Sequence, residues 1–454
     1  MTAIPHSQPQ VHPGGVPILN DYLEFKADPL GFWFNVGKEG PVVQVNLGPS
    51  RPFWVITDAD LFQYILAKKA KNFPRDRQLR DRKGLDRTKT VFNAPTYKEW
   101  LWRRRLLQPA FHVKQLKGFA ETFVLETQRL IQETRLNAPV DLVFMMKTLT
   151  MRIICKTMFS ASVEDTAVLQ DCFERLGHFN YRRLSAAFKL PLWVPTPHKL
   201  DAEEASNTRW QIVEEIVQNR LSSGEAKGDL LDMLIAAQLD DAEAFGNGGK
   251  FGGDDLVSEM LSIIFAGHDT TAMTMVWLIY ALTQNPEVEQ KLRAEVDGVL
   301  NGRFITLDDL DSMPYTHQLI QETLRVYPTV YLTLREAEVD DRLGDYPIPG
   351  GTQLVINIRG IHRDPNHWQN PERFWPERFA PVNNKARHKF AYLPFLAGPK
   401  KCIGDSFAMM EMRLVIPTLI QAFKFTYASN HPVKEKAGFV METAEPVMME
   451  VDKL

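Results

Sequence analysis

The sequence predicts a mostly α-helical protein with a small β portion. From about residue 99 to 300, Leu, Ala and charged residues recur at a spacing of three to four, which is the period of amphipathic helices. The segments Pro41–Gly48 and Phe53–Thr57 alternate with a period of two around a Gly-Pro-Ser turn, which indicates a β-hairpin. Beyond Pro347 the chain is rich in Pro and Arg, which favours short strands and loops.

The composition indicates an ordinary globular protein of 454 residues, with 44% hydrophobic residues, 24% charged residues and a net charge of −3. This charge gives no sign of binding to nucleic acid or to an anionic membrane. The motifs described below are spread from Trp100 to Cys402, so we expect one domain over residues 1–454 rather than several. Residues 1–20 contain four prolines and no apolar run, which predicts an extended segment rather than a signal peptide or an anchor.

The three cysteines are an odd and sparse set, which argues against a disulfide framework and favours a reducing cytoplasm. Cys155 lies in an apolar helical pattern and is expected in the core. Cys172 has no turn around it and is a poor candidate for a ligand. Cys402 is the remaining candidate, because it lies in a loop with glycines.

The longest apolar stretch, Leu256–Leu282, predicts a buried core helix. It contains Glu259 and Asp269, and an ionised carboxylate at the centre of a bilayer costs several kcal/mol, so a membrane span is not expected. Asp254 or Asp255 is the predicted N-cap of this helix.

The loop Phe395–Gly404 holds Cys402 in a turn suited to a thiolate. Gly398 can adopt a positive φ, and the final glycine would let a flat ligand approach the backbone. Lys400 and the lysine after it bring positive charge, which is expected to lower the pKa of the thiol. The residues after this loop form a helical pattern, and the positive end of that helix dipole would also lower the pKa of the thiol. The alternative is a buried structural cysteine.

Within the long apolar stretch, Ala266–Thr271 combines a glycine, an acid and threonines. A Thr hydroxyl in a helix can bond back to a carbonyl one turn earlier and bend the helix. Because Gly267 removes bulk there, we expect a local opening for a water or dioxygen, with Asp269 exchanging protons with solvent. The alternative is an ordinary helix with a tolerated glycine and a solvated acid, and the residues alone leave both open.

Two further patterns bring charges together on helices. Glu322 and Arg325 lie three apart on one helix face, where they can pair. Trp100 and Arg104 lie one helical turn apart and offer donors that suit a carboxylate. By themselves, these patterns also fit a surface salt bridge and an amphipathic helix with a basic surface.

Taken together and in this order, the motifs resemble the cytochrome P450 superfamily. Phe395–Gly404 is similar to the family's haem-ligating loop, and Ala266–Thr271 is similar to its distal oxygen-binding segment. Glu322–Arg325 is similar to the Glu-x-x-Arg helix, and Pro376–Phe379 to the segment that supplies a second arginine. The resemblance covers nearly the whole chain. One departure is Lys400, where the family usually has Arg; lysine keeps the charge but loses the bidentate fork.

The resemblance implies a fold, a cofactor and roles for single residues. The implied fold is the family's triangular prism of helices with a small β portion around haem b, with Cys402 as the proximal ligand of the iron. Glu322, Arg325 and Arg378 would form a buried structural network. The other implied roles are contacts with haem for Trp100, Arg104, Arg335, Phe395, Lys400 and Gly404, proton supply for O–O cleavage by Asp269 and Thr270, and substrate lining by Ala266, Val330, Tyr331 and Phe439.

The implied activity is monooxygenation of an apolar small molecule with O2, with a terpenoid as the first choice of substrate and a fatty acid as the alternative. A haem-thiolate enzyme that uses peroxide or rearranges its substrate is a second hypothesis, against which the pair Asp269 and Thr270 counts. A haem-binding sensor or carrier without turnover is a third.

Partners and location follow from the same resemblance. Electrons would come from a separate ferredoxin or flavodoxin and its NAD(P)H reductase. An acidic partner would be attracted by the basic residues Arg103, Arg105, Lys400 and Lys401. We expect a cytoplasmic monomer. The basic run Arg75–Lys89 either meets an anionic group on the substrate or is solvated, and the second interpretation is favoured.

Overall fold

A computed structural model describes residues 8–13, 20–48, 52–77, 89–136, 138–161, 166–186, 190–191, 193–239, 251–384 and 387–454. Within these ranges most residues are helical, and short strands form a minor part of the structure. This agrees with the predicted fold class.

The helices range from four residues to 32 residues in length. Their bounds in chain order are α1 (Asn20–Ala27), α2 (Pro29–Glu39), α3 (Ala59–Gln63), α4 (Tyr97–Leu107), α5 (Val113–Lys117), α6 (Ala120–Glu133), α7 (Leu142–Phe159), α8 (Thr166–Leu184), α9 (Pro197–Ser223), α10 (Leu230–Leu239), α11 (Gly253–Gln284), α12 (Pro286–Leu300), α13 (Pro314–Val326), α14 (Ile358–Ile361), α15 (Pro381–Asn384) and α16 (Asp405–Ala422).

The strands are short. Their bounds are β1 (Gln10–Val11), β2 (Val42–Val45), β3 (Phe53–Ile56), β4 (Val140–Asp141), β5 (Thr333–Glu336), β6 (Asp341–Leu343), β7 (Tyr346–Ile348), β8 (Gln353–Ile356), β9 (Phe423–Tyr427), β10 (Glu435–Ala437), β11 (Met441–Thr443) and β12 (Met448–Lys453).

The largest sheet has the strand order β1-β2-β3-β8-β5. The predicted hairpin is confirmed, because β2 and β3 are antiparallel with Val42 opposite Ile56 and Val45 opposite Phe53. Strand β8 joins β3 in parallel from a distant part of the chain. Strand β5 pairs antiparallel with β8, which brings Arg335 into this sheet.

Side-chain caps explain where several helices begin. The hydroxyl of Thr96 accepts the N–H of Glu99 at 3.1 Å before α4, and the carboxylate of Asp141 accepts the N–H of Val143 at 2.9 Å before α7. The N-cap predicted for α11 is wrong, because this helix begins after Gly252. The carboxylate of Asp255 instead accepts the N–H of Gly252 at 3.1 Å, which satisfies a donor that the helix leaves free.

Helix α11 is the centre of the hydrophobic core and packs most extensively against α7. From Leu256 to Leu282 nearly every side chain on α11 is buried, and Trp277 is among the largest fully buried ones. Burying one large apolar side chain contributes about 1.5–3 kcal/mol. No helix in the described residues is both long and apolar enough to cross a membrane.

Candidate active site

The loop before α16 holds Cys402 on the wall of an internal cavity. The backbone N–H of Cys402 donates to the carbonyl oxygen of Phe395 at 2.9 Å, and Phe395 lines the same cavity. Gly398 has a φ of 71°, and a Cβ there would collide with the carbonyl oxygen of Leu66, so this turn requires glycine. The side chain of Cys402 is exposed to the cavity and can contact a ligand there.

The electrostatic surroundings of Cys402 differ from the prediction. Burial raises the pKa of the thiol, the N–H of Gly404 lowers it, Asp405 raises it, and Arg104 and Arg75 lower it, with a net increase. The predicted decrease due to the two lysines of the loop is therefore wrong, because the cost of burying a thiolate is larger. Coordination to a metal ion would favour the thiolate, since a coordinating thiol loses its proton.

Arg75, Arg104 and Arg335 form a group that we call the arginine cradle. Arg75 and Arg104 line the cavity and act on the charge of Cys402. Arg335 does not line the cavity and joins the group as the β-bridge partner of Arg75. Arg104 donates to the carbonyl oxygen of Lys401 at 2.8 Å, and Arg75 donates to that of Phe92. Their guanidinium groups thus have neutral acceptors.

Within the described part of the chain, no carboxylate forms an ion pair with the arginine cradle. Burial, with repulsion from Arg104, lowers the pKa of Arg75 to about 10. Burial, with repulsion from Arg75, lowers the pKa of Arg335 to about 9. Buried cations without a counter-charge are costly, so the cradle fits a ligand that carries anionic groups, as the two propionates of haem do.

The other residues predicted to contact haem lie on the same cavity wall. Trp100 is buried one helical turn before Arg104 on α4, and Nζ of Lys400 lies 5.4 Å from the centroid of the Trp100 ring. A Cβ added to Gly404 would lie 3.8 Å from its nearest neighbour, the ring of Phe111. The space beside this glycine is therefore open. The sulfur of Cys402, the arginine cradle and the open backbone at Gly404 together form a site that fits haem.

Residues from the middle of α11 form another part of the cavity wall. The hydroxyl of Thr270 donates to the carbonyl oxygen of Ala266 at 2.8 Å, as predicted from its position in the helix. A Cβ at Gly267 would lie 2.9 Å from Cδ1 of Ile154, so α7 packs against bare backbone here. The helix is continuous through this turn, and the predicted opening does not interrupt it.

Asp269 is paired and buried rather than solvated. Its carboxylate lies 3.1 Å from Nζ of Lys147 on α7, with 10% of the Asp269 side chain and 13% of the Lys147 side chain exposed. Burial lowers the pKa of Lys147, but attraction by Asp269, Glu174 and Glu442 outweighs this and leaves the pKa raised. Asp269 does not line the cavity, although its neighbour Thr270 does. The solvated acid considered above is therefore wrong.

Glu322, Arg325 and Arg378 meet in a buried cluster, which we call the Glu322 network. The carboxylate of Glu322 lies 2.8 Å from Nε of Arg325 and 3.0 Å from Nε of Arg378, and it accepts the N–H of Trp375 at 2.8 Å. Every N–H group of the Arg325 guanidinium has an acceptor, including the carbonyl oxygen of His362.

The cavity has a volume of about 800 Å³ and a mostly apolar wall. The four residues predicted to line a substrate all belong to this wall: Ala266, Val330, Tyr331 and Phe439. Three aromatic rings from different elements meet on it. The ring of Phe439 lies 6.0 Å from that of Phe92 and 5.4 Å from that of Phe265, measured between centroids.

Three residues of this site were not found from the sequence. Arg75 was treated only as the first residue of the basic run, of which residues 78–88 lie outside the described residues. Lys147 and Arg152 are the two charges in the otherwise apolar segment Leu142–Cys155, and a lysine in such a segment was a usable signal, because buried lysines require partners. Phe265 directly precedes Ala266, and no local feature distinguishes it.

The predicted basic surface for an electron donor is partly wrong. Arg103 is buried, with Nη1 2.7 Å from Glu259 and Nη2 2.9 Å from Asp255, because its face of α4 packs against the start of α11. Arg105 and Lys401 are exposed, and Lys401 forms an ion pair with Asp405.

Comparison with known proteins agrees with this geometry. The model of the cytochrome P450 family matches residues 11–450. Cyclooctat-9-en-7-ol 5-monooxygenase of Streptomyces melanosporofaciens is 30% identical over an alignment of 426 residues, which covers 91% of this chain and 88% of that protein. Cyclooctatin synthase of the same organism is 28% identical, over 98% of this chain and 95% of that protein.

The fold has a close counterpart among solved structures. The crystal structure of a mutant cytochrome P450DA haem domain matches with a TM-score of 0.83, over 99% of this chain and 98% of that one. At 22% identity, this match concerns the fold alone.

Proposed function

This chain belongs to the cytochrome P450 family, and we propose that it is a monooxygenase that oxidises an apolar terpenoid. Family membership brings a haem-thiolate iron, O2 and oxygen-inserting chemistry. The observation that carries the assignment of residues is the cavity-facing Cys402 beside an arginine cradle that forms no ion pair with a carboxylate of the described residues.

We propose that residues on one side of the cavity bind haem b. Cys402 is the iron ligand, and bound haem supplies the activation of O2. Arg75, Arg104 and Arg335 bind the propionates, because charge-assisted hydrogen bonds to carboxylates are strong and would relieve their lack of a counter-charge. The remaining haem contacts are assigned to Trp100, Phe395, Lys400 and Gly404.

On the other side we assign proton supply to Thr270 and Asp269. The Thr270 hydroxyl faces the cavity and can both donate and accept a hydrogen bond. Asp269, beside it in the chain, is held by Lys147 and would supply protons that Thr270 passes into the cavity. Thr270→Ala should consume reductant but release more hydrogen peroxide for each product molecule. An unchanged ratio of hydrogen peroxide to product in Thr270→Ala would contradict a role of Thr270 in proton supply.

Two observations support a terpenoid substrate. The cavity wall is mostly apolar, and two relatives are named as a cyclooctat-9-en-7-ol 5-monooxygenase and a cyclooctatin synthase. The wall residues Ala266, Val330, Tyr331 and Phe439 carry no formal charge, and apolar burial contributes about 25 cal/mol per Å². A fatty acid remains the alternative, with its carboxylate on the basic run that begins at Arg75.

Salt distinguishes these two substrates, because it screens an exposed ionic contact but not apolar burial. Geranylgeraniol and palmitate would be titrated at low and high salt, with binding followed by the shift of the haem absorption band. We expect salt-independent binding of geranylgeraniol. Binding of palmitate alone, with an affinity that falls steeply with salt, would favour the fatty-acid hydroxylase.

We also propose that residues 1–454 form one domain and that the protein is a cytoplasmic monomer. The main core cluster joins residues from Phe25 to Val451, and Cys155 and Cys172 are buried free thiols, as expected in a reducing compartment. Electrons would come from a separate ferredoxin or flavodoxin with its NAD(P)H reductase.

The ferrous–CO spectrum tests the ligand assignment. We expect the red-shifted Soret band of thiolate ligation, its loss in Cys402→Ala, and its retention in the control Cys172→Ala. A Cys402→Ala protein that keeps this band would overturn the assignment. Product formation with a surrogate ferredoxin and reductase would separate the monooxygenase from a peroxide-using enzyme and from a sensor.

A further inference from the structure

The turn at residues 90–93 brings two side chains to the cavity wall, because both Val91 and Phe92 line the cavity. Hydrogen bonds within the turn fix its shape. The amide oxygen of Asn93 accepts the N–H of Thr90 at 2.7 Å, and the hydroxyl of Thr90 accepts the N–H of Phe92 at 3.2 Å. These bonds do not fix the place of the turn, which depends on its contacts with other elements.

A buried carboxylate on α11 supplies one of these contacts. The N–H of Val91 donates to Glu259, with the nitrogen 3.0 Å from Oε1 and 3.2 Å from Oε2. Glu259 is fully buried, and Ser262 and Ile263, about one helical turn further along α11, line the cavity. Glu259 therefore holds the turn against the part of α11 that borders the cavity.

The same carboxylate also pairs with Arg103 on α4, whose Nη1 lies 2.7 Å from Oε1 of Glu259. Arg103 has further carboxylate partners, Asp255 at 2.9 Å and Glu99 at 3.3 Å. A change at Glu259 therefore leaves Arg103 with counter-charges, but it removes the carboxylate that accepts the Val91 N–H. A partly buried donor that loses its acceptor costs free energy, so the turn would shift to find another acceptor.

The ring of Phe92 contacts both the arginine cradle and the aromatic part of the cavity wall. The guanidinium carbon of Arg75 lies 4.2 Å from the centroid of the Phe92 ring. The centroid of Phe439 lies 6.0 Å from that of Phe92, and the Phe439 ring packs at 62° against Phe265 of α11. Contacts between aromatic rings depend on their relative orientation, so a shift of the turn would reshape this wall.

We propose that Glu259 is a positioning residue that determines specificity, because it fixes Phe92 in the wall that contacts the apolar body of a substrate. With the carboxylate in place, ligands with an extended apolar body are favoured over small ones. In Glu259→Gln only one acceptor oxygen remains, and the amide NH2 group would face an N–H of Val91 or of Arg103. This inference rests on the proposed haem site and concerns the substrate class of that site.

Binding of two iron ligands to the haem-loaded enzyme tests this role. 1-Methylimidazole and 1-dodecylimidazole ligate iron through the same ring nitrogen, and only the second carries a long apolar chain. The ratio of their dissociation constants, taken from the shift of the haem absorption band, therefore reports contacts with the apolar wall. The measurements are made at about pH 8, because burial raises the pKa of Glu259 to about 7 against the opposite effect of Arg103 and the Val91 N–H.

Glu259→Gln should bind 1-dodecylimidazole about fivefold more weakly, and 1-methylimidazole as tightly as the wild type does. Glu259→Asp, which keeps a carboxylate for Arg103 but is one methylene shorter, should show the same selective loss. The matched control is Asp255→Asn, which removes a different carboxylate partner of Arg103 and leaves the turn in place. Its ratio of dissociation constants should equal that of the wild type.

A double-mutant cycle shows whether Glu259 acts through Phe92. Phe92→Ala should weaken the binding of 1-dodecylimidazole by itself, and adding Glu259→Gln should then cause no further loss. Hydrogen exchange gives a readout that needs no haem. In the haem-free protein, the amide hydrogen of Val91, followed in a peptide that contains it, should exchange about tenfold faster in Glu259→Gln than in Asp255→Asn.

Any of three results would overturn the positioning role: an unchanged ratio of dissociation constants in both Glu259 variants, an equal loss with and without the ring of Phe92, or an unchanged exchange rate of the Val91 amide. A wild-type protein without the thiolate band would overturn the proposed function, and the positioning role with it. A wild type that shows the band, and the selective loss in Glu259→Gln, but does not bind geranylgeraniol would refute only the terpenoid substrate.

Discussion

The Glu322 network and the arginine cradle are both groups of buried or half-buried arginines, and they differ in their counter-charges. In the network, Glu322 lies within 3.0 Å of nitrogen atoms of Arg325 and Arg378. In the cradle, Arg104 and Arg335 donate to backbone carbonyl and hydroxyl oxygens, with no carboxylate partner in the described part of the chain. The network contains its own counter-charge, whereas we propose that an anionic ligand supplies the counter-charge of the cradle.

This difference separates a structural role from a binding role for the same residue type. A buried ion pair that loses one partner leaves an uncompensated charge, which is strongly destabilising. A cation that already lacks a counter-charge destabilises the folded protein, and an anionic ligand removes this destabilisation when it binds. Substitutions in the Glu322 network should therefore destabilise the haem-free protein, whereas substitutions in the cradle should not.

The largest effect is expected for Glu322→Gln. Removing the carboxylate leaves two buried guanidinium groups without their counter-charge, so the free energy of unfolding should fall by about 3–5 kcal/mol. Urea unfolding followed by far-UV circular dichroism measures this change. Glu133→Gln, which breaks the more exposed pairs with Arg129 and Arg152, serves as the control and should cost less than about 1 kcal/mol. Equal losses in the two variants would contradict the comparison.

Arg335→Leu should weaken haem binding without destabilising the haem-free protein. The lost charge-assisted contact is worth about 2 kcal/mol, or roughly a thirtyfold increase in the dissociation constant for haem. Competition with apomyoglobin measures this constant, and urea unfolding of the haem-free protein measures its stability. The matched control is Arg105→Leu, which removes an exposed arginine of α4. A haem-free Arg335→Leu protein as unstable as Glu322→Gln would show that the cradle is structural.

Acid should lower the stability of the folded protein through His362, whose carbonyl oxygen accepts a hydrogen bond from Arg325 of the Glu322 network. Burial and repulsion by Arg325 lower the pKa of His362 to about 3, and its Nε2 accepts the N–H of Leu393 at 2.8 Å. The unfolded chain binds this proton at a higher pH than the folded protein does, so the stability is complete above pH 6.5 and falls between pH 6.5 and 3. At pH 5.5 the loss should be about 1.4 kcal/mol.

Unfolding measured from pH 7.5 to 5 in the wild type and in His362→Gln tests this slope. The variant should lose part of the pH dependence, since glutamine does not titrate. Identical slopes would assign the pH dependence to other groups.

The smallest effect is expected for Lys400→Arg. Lys400 is half-buried beside Trp100, and an arginine there would keep the contact with the ring and add a bidentate fork for a carboxylate. Haem affinity should rise about twofold. A decrease, measured by the same competition assay, would show that Lys400 is not directed towards an anionic group.

The sequence by itself determined the features that depend on neighbouring residues. The period of three to four gave the helices, and the alternation around a Gly-Pro-Ser turn gave the β2–β3 hairpin. The back-bonded hydroxyl of Thr270 and the pairing of Glu322 with Arg325 also lie within one helical turn. Local geometry fixes such contacts, so they can be predicted before the chain is folded in space.

Only the tertiary structure decided which charges are buried and what faces them. Arg103 and Arg75 looked alike as members of basic segments, yet Arg103 meets two carboxylates and Arg75 joins the cradle. Lys147 and Asp269 pair across two helices that are far apart in the chain, and burial reversed the direction expected for the pKa of Cys402. Desolvation and long-range pairing depend on the packing of distant elements, which no local pattern encodes.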